Sequence, residues 1–343
     1  MRIFVLPVVF LLLWPLAGFC QNSVVKELSP IMALDDLVPA LQVFKNAIFN
    51  SAIVAINDGI LFALDTDTHR VLKYRRDGSY LGQIGEIGKE ESSLFYPCSM
   101  RIRGNLIFVL DHFGNKIKSF GIDGSFKQAT NIDLGLKTKG FSFDITDNSI
   151  YANAFKEGDA FFNRNLIAQL DSKGNRVGGI GRLLPSERFV ELVNANKVYF
   201  ECFQGLIYGC FKNSPIIFIY DLDGREVLFR DLSDSAIPEI DNIKKEEAKN
   251  LERMKQEDPR TVALVNYFYS FSISKNLMYC GLNSNGAKKG TLLEFDLAGK
   301  HIRTIELHRE GSPVMVLKTA VADDGDVFVV FRQNNRNYLA KLH

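Results

Sequence analysis

The chain has 343 residues, 46% of them hydrophobic and 24% charged, which is the composition of a globular protein with a sizeable core and argues against extended disorder. Lysine and arginine total 41 and aspartate and glutamate total 40, so the net charge is +1. The basic excess of a nucleic-acid-binding protein is therefore missing, and we expect no nucleic-acid partner.

The N-terminus has the three parts of a signal peptide: a charged region at Arg2, an apolar run over residues 3–14, and small residues at Gly18 and Cys20. We predict cleavage after Cys20, which makes residues 1–20 the signal peptide. The apolar run is too short to span a bilayer comfortably, and no later stretch of sequence reaches transmembrane length. We therefore expect a periplasmic or secreted protein with no transmembrane segment after cleavage.

Cys20 leaves a lipid anchor open as the alternative. A bacterial lipobox places leucine and then two small residues directly before the modified cysteine. Phe19 occupies the position that should be Gly, Ala or Ser. We favour ordinary cleavage and a soluble product over lipidation through Cys20.

A short pattern recurs through the rest of the chain: an aromatic residue or leucine followed within a few residues by a glycine. The repeated glycines are Gly78, Gly124, Gly174, Gly224 and Gly299. Glycine supplies the positive φ that a tight hairpin turn needs, so each of these positions predicts a turn between two strands. Their successive spacings are 46, 50, 50 and 75 residues, and a period in the forties with several strands per unit indicates β-propeller blades.

Each repeat is predicted to contain four strands, a to d, with a tight a–b turn, a longer b–c loop and a glycine c–d turn. In the second repeat these strands are residues 98–103, 105–111, 116–121 and 125–132. The sixth repeat ends at His343 after its strand c, and an unpaired outer strand would leave an exposed edge. We predict that residues 23–28 supply the missing strand. The ring then closes through the two termini, giving an all-β, six-bladed propeller over residues 21–343.

The first two repeats, from about residue 59 to residue 124, resemble the NHL repeat in two groups of residues: His69-Arg70-Val71 with Tyr74 and Asp77-Gly78, and Phe95-Tyr96-Pro97 with residues 107–111. The whole chain is similar to the TolB-like six-bladed propellers of exported Bacteroidetes proteins. This resemblance implies an exported, periplasmic protein and no agreed activity.

The sequence contains no recognisable catalytic motif. No HExxH, GxSxG or Walker-type glycine loop occurs, and no two of the five histidines lie at helical ligand spacing. The NHL resemblance includes amidating lyases that hold a metal with several histidines in the central channel, but His301 here is predicted on an outer strand. We therefore expect no metal and no cofactor.

Four cysteines remain after the predicted cleavage: Cys98, Cys202, Cys210 and Cys280. An even number in an exported protein permits disulfides. In a hairpin that turns at Gln204-Gly205, however, Cys202 would face Ile207 and not Cys210. We interpret the cysteines as buried free thiols, and their disulfide state stays open.

Strand direction predicts two different faces of the ring. The b–c loops and d–a connections share one face, which we call the long-loop face, and the a–b and c–d turns share the opposite, short-turn face. Polar and basic side chains concentrate in the long loops and predict a binding surface on a rigid scaffold, although surface loops are commonly polar for no other reason. The candidate ligand-binding residues are Asn163, Arg164, Tyr267, Asn283, Lys288, Arg332, Asn334 and Arg336.

The long spacing between Gly224 and Gly299 indicates an insertion of roughly 25–30 residues between blades 4 and 5, at about residues 233–260. Pro238 begins a predicted helix and Pro259 follows it. As a d–a connection the insertion is predicted on the long-loop face, where it would border the ligand or partner site.

A complete repeat architecture without a catalytic motif favours a non-enzymatic binding or interaction module. We expect a monomer whose partner is a protein or a glycan. The alternative is a propeller hydrolase or lyase that acts on a carbohydrate or lactone at the channel mouth, and a structural role in the cell envelope stays open as a third reading.

Overall fold

The computed structural model of the protein describes residues 23–33, 53–57, 59–66, 68–77, 79–111, 115–132, 142–155, 158, 164–186, 188–257, 266–283, 290–322, 324–334 and 336–342. The predicted signal peptide and the candidate residues Asn163 and Lys288 lie outside these ranges.

Two N-terminal strands, β1 (Ser23–Glu27) and β2 (Pro30–Ala33), precede the first blade. Blade 1 contains β3 (Ile53–Asn57), β4 (Ile60–Asp65), β5 (Arg70–Arg75) and β6 (Tyr80–Ile84). Blade 2 contains β7 (Pro97–Arg103), β8 (Leu106–Asp111), β9 (Lys116–Gly121) and β10 (Phe126–Asn131). Blade 3 contains β11 (Ser142–Ile145), β12 (Ser149–Asn153), β13 (Ile167–Asp171) and β14 (Arg176–Ile180).

A helix α1 (Phe189–Ala195) leads into blade 4, which contains β15 (Val198–Phe203), β16 (Leu206–Phe211), β17 (Ile216–Asp221) and β18 (Glu226–Asp231). Helix α2 (Pro238–Glu257) then precedes blade 5, which contains β19 (Phe268–Ser274), β20 (Leu277–Leu282), β21 (Gly290–Asp296) and β22 (His301–Arg309). The short strand β23 (Ser312–Pro313) pairs with β22. Blade 6 contains β24 (Met315–Val321), β25 (Val327–Gln333) and β26 (Arg336–Leu342).

The six sheets form a closed ring, as the repeat pattern predicts. The first strand of each blade contacts the first strand of the next blade, and the last of them contacts the first, which closes the ring. In chain order these strands are β3, β7, β11, β15, β19 and β24. Six clusters of buried apolar side chains lie one at each interface between neighbouring blades. Because both faces of every blade are covered, the second strands are continuously apolar and buried, as β16 and β20 show.

The prediction of which residues close the ring is wrong, although closure by the two termini is confirmed. The fourth strand of blade 6 is β2, which pairs antiparallel with β26 through Pro30 and Ala340. Strand β1 instead pairs parallel with β22 and adds a fifth strand to the outside of blade 5. Leu28, between the two strands, is 3% exposed and packs in the cluster between blades 5 and 6, so its burial directs the two segments to different sheet edges.

The predicted helix in the insertion is confirmed and begins at Pro238, as expected. Ile237 and Ile240 are buried in the cluster between blades 4 and 5, and Ile243 packs partly against the same cluster. The first turn of α2 is therefore part of the core. Within the described residues no helix is both long and apolar enough to cross a membrane.

The hairpin register predicted for blade 4 is also confirmed. Gln204 and Gly205 have φ values of 49° and 77°, which a two-residue hairpin turn of this hand requires, and Cys202 pairs with Ile207. The four cysteines from Cys98 onward are free thiols in the structure.

Candidate functional site

A buried carboxylate, Asp144 in β11, lies at the centre of a charged cluster on the inner strands. Its side chain has no exposed surface. Its Oδ1 accepts the backbone N–H of Ile145 at 2.8 Å, and its Oδ2 accepts the backbone N–H of Cys202 at 2.6 Å. A buried charge needs such partners, because removal from water without them is costly. Asp144 thereby connects blade 3 to blade 4.

Arg103, the last residue of β7, supplies the opposite charge. Its Nη2 lies 2.5 Å from Asp144 Oδ2 and also donates to the carbonyl oxygen of Cys202, at 3.2 Å. Its Nε donates to the carbonyl oxygen of Ile145, at 3.3 Å. Burial works against the charged guanidinium, but the neighbouring Asp144 and Glu201 outweigh it and raise the pKa of Arg103. The side chain is fixed by three blades, yet 44% of it is exposed.

Arg101, two residues earlier on the same strand, crosses the central channel. Its Nη2 donates to the carbonyl oxygen of Phe200 at 3.2 Å, although Phe200 belongs to blade 4 and Arg101 to blade 2. Its Nε is buried, has no hydrogen-bond partner in the described part of the chain, and lies 3.9 Å from Asp144 Oδ1. Because blades 2 and 4 are not neighbours, this contact passes through the centre of the ring.

Two further ionisable groups complete the channel cluster, which we define as Arg101, Arg103, Asp144, Glu201 and Lys318. Glu201 Oε2 accepts the backbone N–H of Ile273 in blade 5, at 3.1 Å. Burial raises the pKa of Glu201, while Arg101 opposes the shift. Burial, followed by repulsion from Arg101, lowers the pKa of Lys318 in blade 6 to about 7. The cluster therefore joins side chains from blades 2, 3, 4 and 6.

A cavity of about 800 Å³ opens beside this cluster. It lies among the a–b turns of blades 3 and 4 and the outer strand of blade 2, so it is on the short-turn face; we call it the short-turn cavity. Apolar side chains form part of its wall, including Phe108, Ile145, Phe203 and Leu206, and polar groups are contributed by Arg103, Lys127, Gln128, Thr130, Asp147 and Gln204. Arg103 lines this cavity and contacts Asp144 of the channel cluster through its side chain, whereas Ile145 and Cys202, which also line it, contact Asp144 through their backbone N–H groups.

Cys202 also lines the short-turn cavity, but its thiol is a poor nucleophile. Burial, followed by the nearby Asp144, raises the pKa of the Cys202 thiol. A thiol nucleophile must ionise readily, and this one is held protonated. Asp144 has its oxygens occupied by Arg103 and two backbone N–H groups, so it is a positioning group for the arginine.

The candidate ligand-binding residues that the structure describes do not line the short-turn cavity. Arg164, Asn334 and Arg336 are exposed, and Arg332 is half-buried. Tyr267 is 8% exposed and packs in the cluster between blades 4 and 5. Asn283 is 1% exposed, and its backbone N–H donates to the carbonyl oxygen of Tyr267. Among the described residues, neither atom of its side-chain amide has a hydrogen-bond partner.

Five of the candidate ligand-binding residues that the structure describes thus form two separate groups. Tyr267 and Asn283 are together in blade 5, and Arg332, Asn334 and Arg336 are together at one loop of blade 6. Their role as ligand contacts stays a prediction, as does the role of α2 beside a partner site.

Sequence reasoning missed the channel cluster, although one signal was visible. Arg101 and Arg103 alternate on a predicted strand a, so both side chains extend from the same side of an inner strand. Two like charges on one side of a strand otherwise packed in a core need acidic partners. Those partners, Asp144 and Glu201, lie on the inner strands of other blades.

Comparison with known proteins supports the architecture. Residues 45–285, more than half of the chain, match the model of a family described as "6-bladed beta-propeller" (DUF5128). No curated protein matches the sequence.

Solved structures of low sequence identity are similar to this chain. A Bacteroides fragilis protein classed as exported is 12% identical, with 83% of this chain and 79% of that chain covered and a TM-score of 0.49. Virginiamycin B lyase from Staphylococcus aureus is 8% identical, with 87% and 85% covered and a TM-score of 0.50. A streptogramin B lyase is 10% identical, with 85% and 93% covered and a TM-score of 0.49. The likeness to virginiamycin B lyase concerns the fold alone.

Proposed function

The chain belongs to this six-bladed β-propeller family, and we propose that it is an exported, non-enzymatic binding module. Its ligand site is the short-turn cavity, and its ligand is a glycan that carries a carboxylate. The apolar wall offers a surface for the faces of sugar rings, and the amide and hydroxyl groups offer hydrogen bonds to sugar hydroxyls. Arg103 is the anchor for the acidic group.

The observation that carries this proposal is the way Arg103 is held. Its Nε and Nη2 are occupied by Ile145 O, Asp144 and Cys202 O, whereas its Nη1 has no hydrogen-bond partner within the described residues. The guanidinium is therefore fixed in orientation with one N–H₂ group available at the cavity. A pre-ordered arginine binds a carboxylate without losing side-chain freedom at that moment, which favours affinity.

Binding is favoured over catalysis by the state of the groups at the cavity. Asp144 is fully engaged by its hydrogen bonds, and the raised pKa of Cys202 keeps that thiol protonated. Neither group is suited to act as a base or nucleophile.

The second candidate function is a hydrolase or lyase that acts on a carbohydrate or lactone at the channel mouth. Two ionisable residues of the channel cluster, Glu201 and Lys318, favour it. Glu201 has a raised pKa and Lys318 has a lowered pKa, and both interact with Arg101 in the channel. Oppositely shifted groups in a cleft are a common feature of acid–base sites. Under this alternative the ligand would be consumed and would have to reach the channel beyond Arg103.

The test is calorimetric titration of the protein lacking residues 1–20 with trigalacturonate and with the neutral galactose trimer. We expect the acidic trimer to bind more tightly than the neutral one, and Arg103→Gln to weaken its binding by about tenfold or more, as for loss of one charge-assisted contact. Arg336→Gln on the long-loop face is the matched control and is expected to bind unchanged. Equal binding of the two trimers, or loss of binding in the control alone, would refute the proposed site; cleavage of the trimer would favour the enzyme.

Because Arg103→Gln removes the charged group that donates a hydrogen bond to the buried Asp144, folding must be separated from binding. Arg103→Lys retains a positive charge beside Asp144 but cannot offer the same fixed fork. We expect this variant to keep most of its stability, measured by urea unfolding, and still to bind trigalacturonate more weakly. Unchanged affinity in Arg103→Lys would contradict the anchoring role.

The proposed location is the periplasm or the exterior of the cell, with a soluble mature chain. The support is the sequence of residues 1–20, which has the charged, apolar and small-residue regions of a signal peptide. Intact-mass measurement of the exported protein is expected to show Gln21 as the first residue and no lipid. A diacylglyceryl mass on Cys20 would instead establish a lipoprotein.

A further inference from the structure

Two cysteines lie in the same buried cluster at the interface between blades 4 and 5. Cys210 lies in β16 and Cys280 in β20, the second strands of their blades, and neither has exposed surface. Both belong to the same buried cluster, where apolar side chains such as Ile217 and Leu293 surround them. The two thiols are close enough in this cluster for Cys280 to raise the pKa of Cys210.

The other two described cysteines are in different surroundings. Cys98 is half-buried and packs against the cluster between blades 2 and 3. Cys202 is half-buried at the short-turn cavity, beside the cluster between blades 3 and 4. They therefore serve as internal controls for any chemistry of the Cys210–Cys280 pair.

We propose that Cys210 and Cys280 form a disulfide that ties blade 4 to blade 5 when the protein folds in an oxidising compartment. The reaction is thiol–disulfide exchange: each cysteine loses its thiol hydrogen, the Sγ–Sγ bond forms, and the disulfide of the oxidant is reduced to two thiols. The oxidant is a protein disulfide of the thiol–disulfide oxidoreductase class, for which oxidised glutathione substitutes in solution. This proposal concerns the covalent state of the chain and does not depend on the ligand.

Burial sets the time at which the bond forms. The attacking species in exchange is a thiolate, and burial raises the pKa of the Cys210 thiol well above its ordinary value, with the neighbouring Cys280 adding to the shift. Exchange therefore occurs during folding, before blade 5 closes against blade 4. In the finished fold the bond is enclosed by protein and protected from reductants.

The bond would enclose the segment that departs most from the repeat. Residues 211–279 contain β17, β18, the whole of α2 and the entry to blade 5. Closing a long loop restricts the unfolded chain and thereby stabilises the fold. The cross-link would hold together the two blades between which the insertion separates the repeats.

The test is refolding of the chain lacking residues 1–20 from denaturant in a buffer of reduced and oxidised glutathione. We expect an intact mass lower by two hydrogen atoms, a cross-linked peptide pair containing Cys210 and Cys280, and a thermal midpoint several degrees above that of the reduced protein. Variants Cys98→Ser and Cys202→Ser are expected to keep the mass change. Cys210→Ala and Cys280→Ala are each expected to abolish it.

The proposal is overturned if wild-type protein, refolded in the same buffer and then denatured, still titrates as four free thiols. It is equally overturned if the mapped disulfide joins any other pair of cysteines. Should either alanine variant fail to fold, the thiol titration and peptide mapping of the wild-type protein decide the matter by themselves. Glutathione replaces the cellular oxidant, so the outcome is independent of where the cell sends the protein.

Discussion

The Nη2 atom of Arg101 lies 3.2 Å from the carbonyl oxygen of Phe200, which joins blade 2 to blade 4 across the centre of the ring. Glu201, the next residue after Phe200, accepts a hydrogen bond from Ile273 of blade 5. Arg101 thus connects inner strands of blades that are not neighbours, and Glu201 connects those of two adjacent blades. The channel is consequently a structural centre of the ring as well as the inner boundary of the candidate site.

Asp144→Asn is predicted to destabilise the fold, because it removes the charge that neutralises Arg103 inside the ring. Breaking a buried ion pair on one side costs about 3–5 kcal/mol, and the exposed part of Arg103 reduces the expected loss to about 2–4 kcal/mol. Urea unfolding measures this loss in the free energy of unfolding. The control is Asp147→Asn in the exposed a–b turn of the same blade, which is expected to unfold nearly as the wild type does. Equal stability of the two variants would show that Asp144 does not organise the cluster.

Leu28 is predicted to fix the path of the N-terminal strands. It is 3% exposed and packs between blades 5 and 6, so Leu28→Ala is expected to cost about 2–5 kcal/mol in the free energy of unfolding. Val25, in the preceding strand β1, is 58% exposed, and Val25→Ala is expected to cost less than about 0.5 kcal/mol. A similar, small effect of both substitutions would contradict the observed attachment of β1 and β2.

Lys318 is predicted to make stability depend on pH in the alkaline range. Its pKa falls from 10.5 to about 7 on folding, chiefly through burial, so between these values the unfolded chain binds more protons than the folded one. Stability should therefore rise as pH increases from about 7 to 10.5, and the full penalty of the buried charge should remain below pH 7.

Comparison of Lys318→Met with wild type isolates this contribution. The variant is expected to lose the gain between pH 7 and 10.5, and to be the more stable of the two below pH 7. Lys244→Met, on the exposed side of α2, is the control and should follow the wild-type pH profile. A Lys318→Met profile that parallels the wild type at every pH would rule out the lowered pKa.

The insertion is predicted to behave as two parts. Ile237 and Ile240 are buried in the core, so replacing all of residues 233–260 by a Gly/Ser loop should destabilise the protein strongly. Replacing only residues 244–257 keeps those contacts and should change the thermal midpoint little. If both replacements lower the midpoint equally, the outer part of α2 also contributes to the fold.

The blade architecture could be predicted because each repeat contains a turn glycine that can be recognised in the sequence. Gly124 and Gly174 take φ values of 97° and 84° at their turns, a conformation that favours glycine, so the blade spacing is visible in sequence. The strand that closes the ring has no such recognisable turn residue. Residues 23–28 and 30–33 are both short strand-like segments, and they are told apart by contacts made in the assembled ring, such as the burial of Leu28 and its backbone hydrogen bond to His308.

The candidate site was harder to predict for a related reason. Loop composition directed attention to the long-loop face, where residues such as Arg332 and Asn334 are polar. The channel cluster arises from single charged residues on inner strands of different blades, such as Arg101, Asp144 and Glu201. These residues are far apart in the sequence and come together only when the ring closes, so no local sequence pattern predicts their contact.

Hydrogen exchange with and without saturating trigalacturonate tests the central claim most directly, because it reports which face the ligand covers. We predict slower amide exchange at residues 145–149 and 202–206, which border the short-turn cavity, and no change at residues 332–336 on the long-loop face. The same experiment on Arg103→Gln should show little protection at either place. Protection confined to residues 332–336 would contradict the proposed site and would return the binding surface to the long loops.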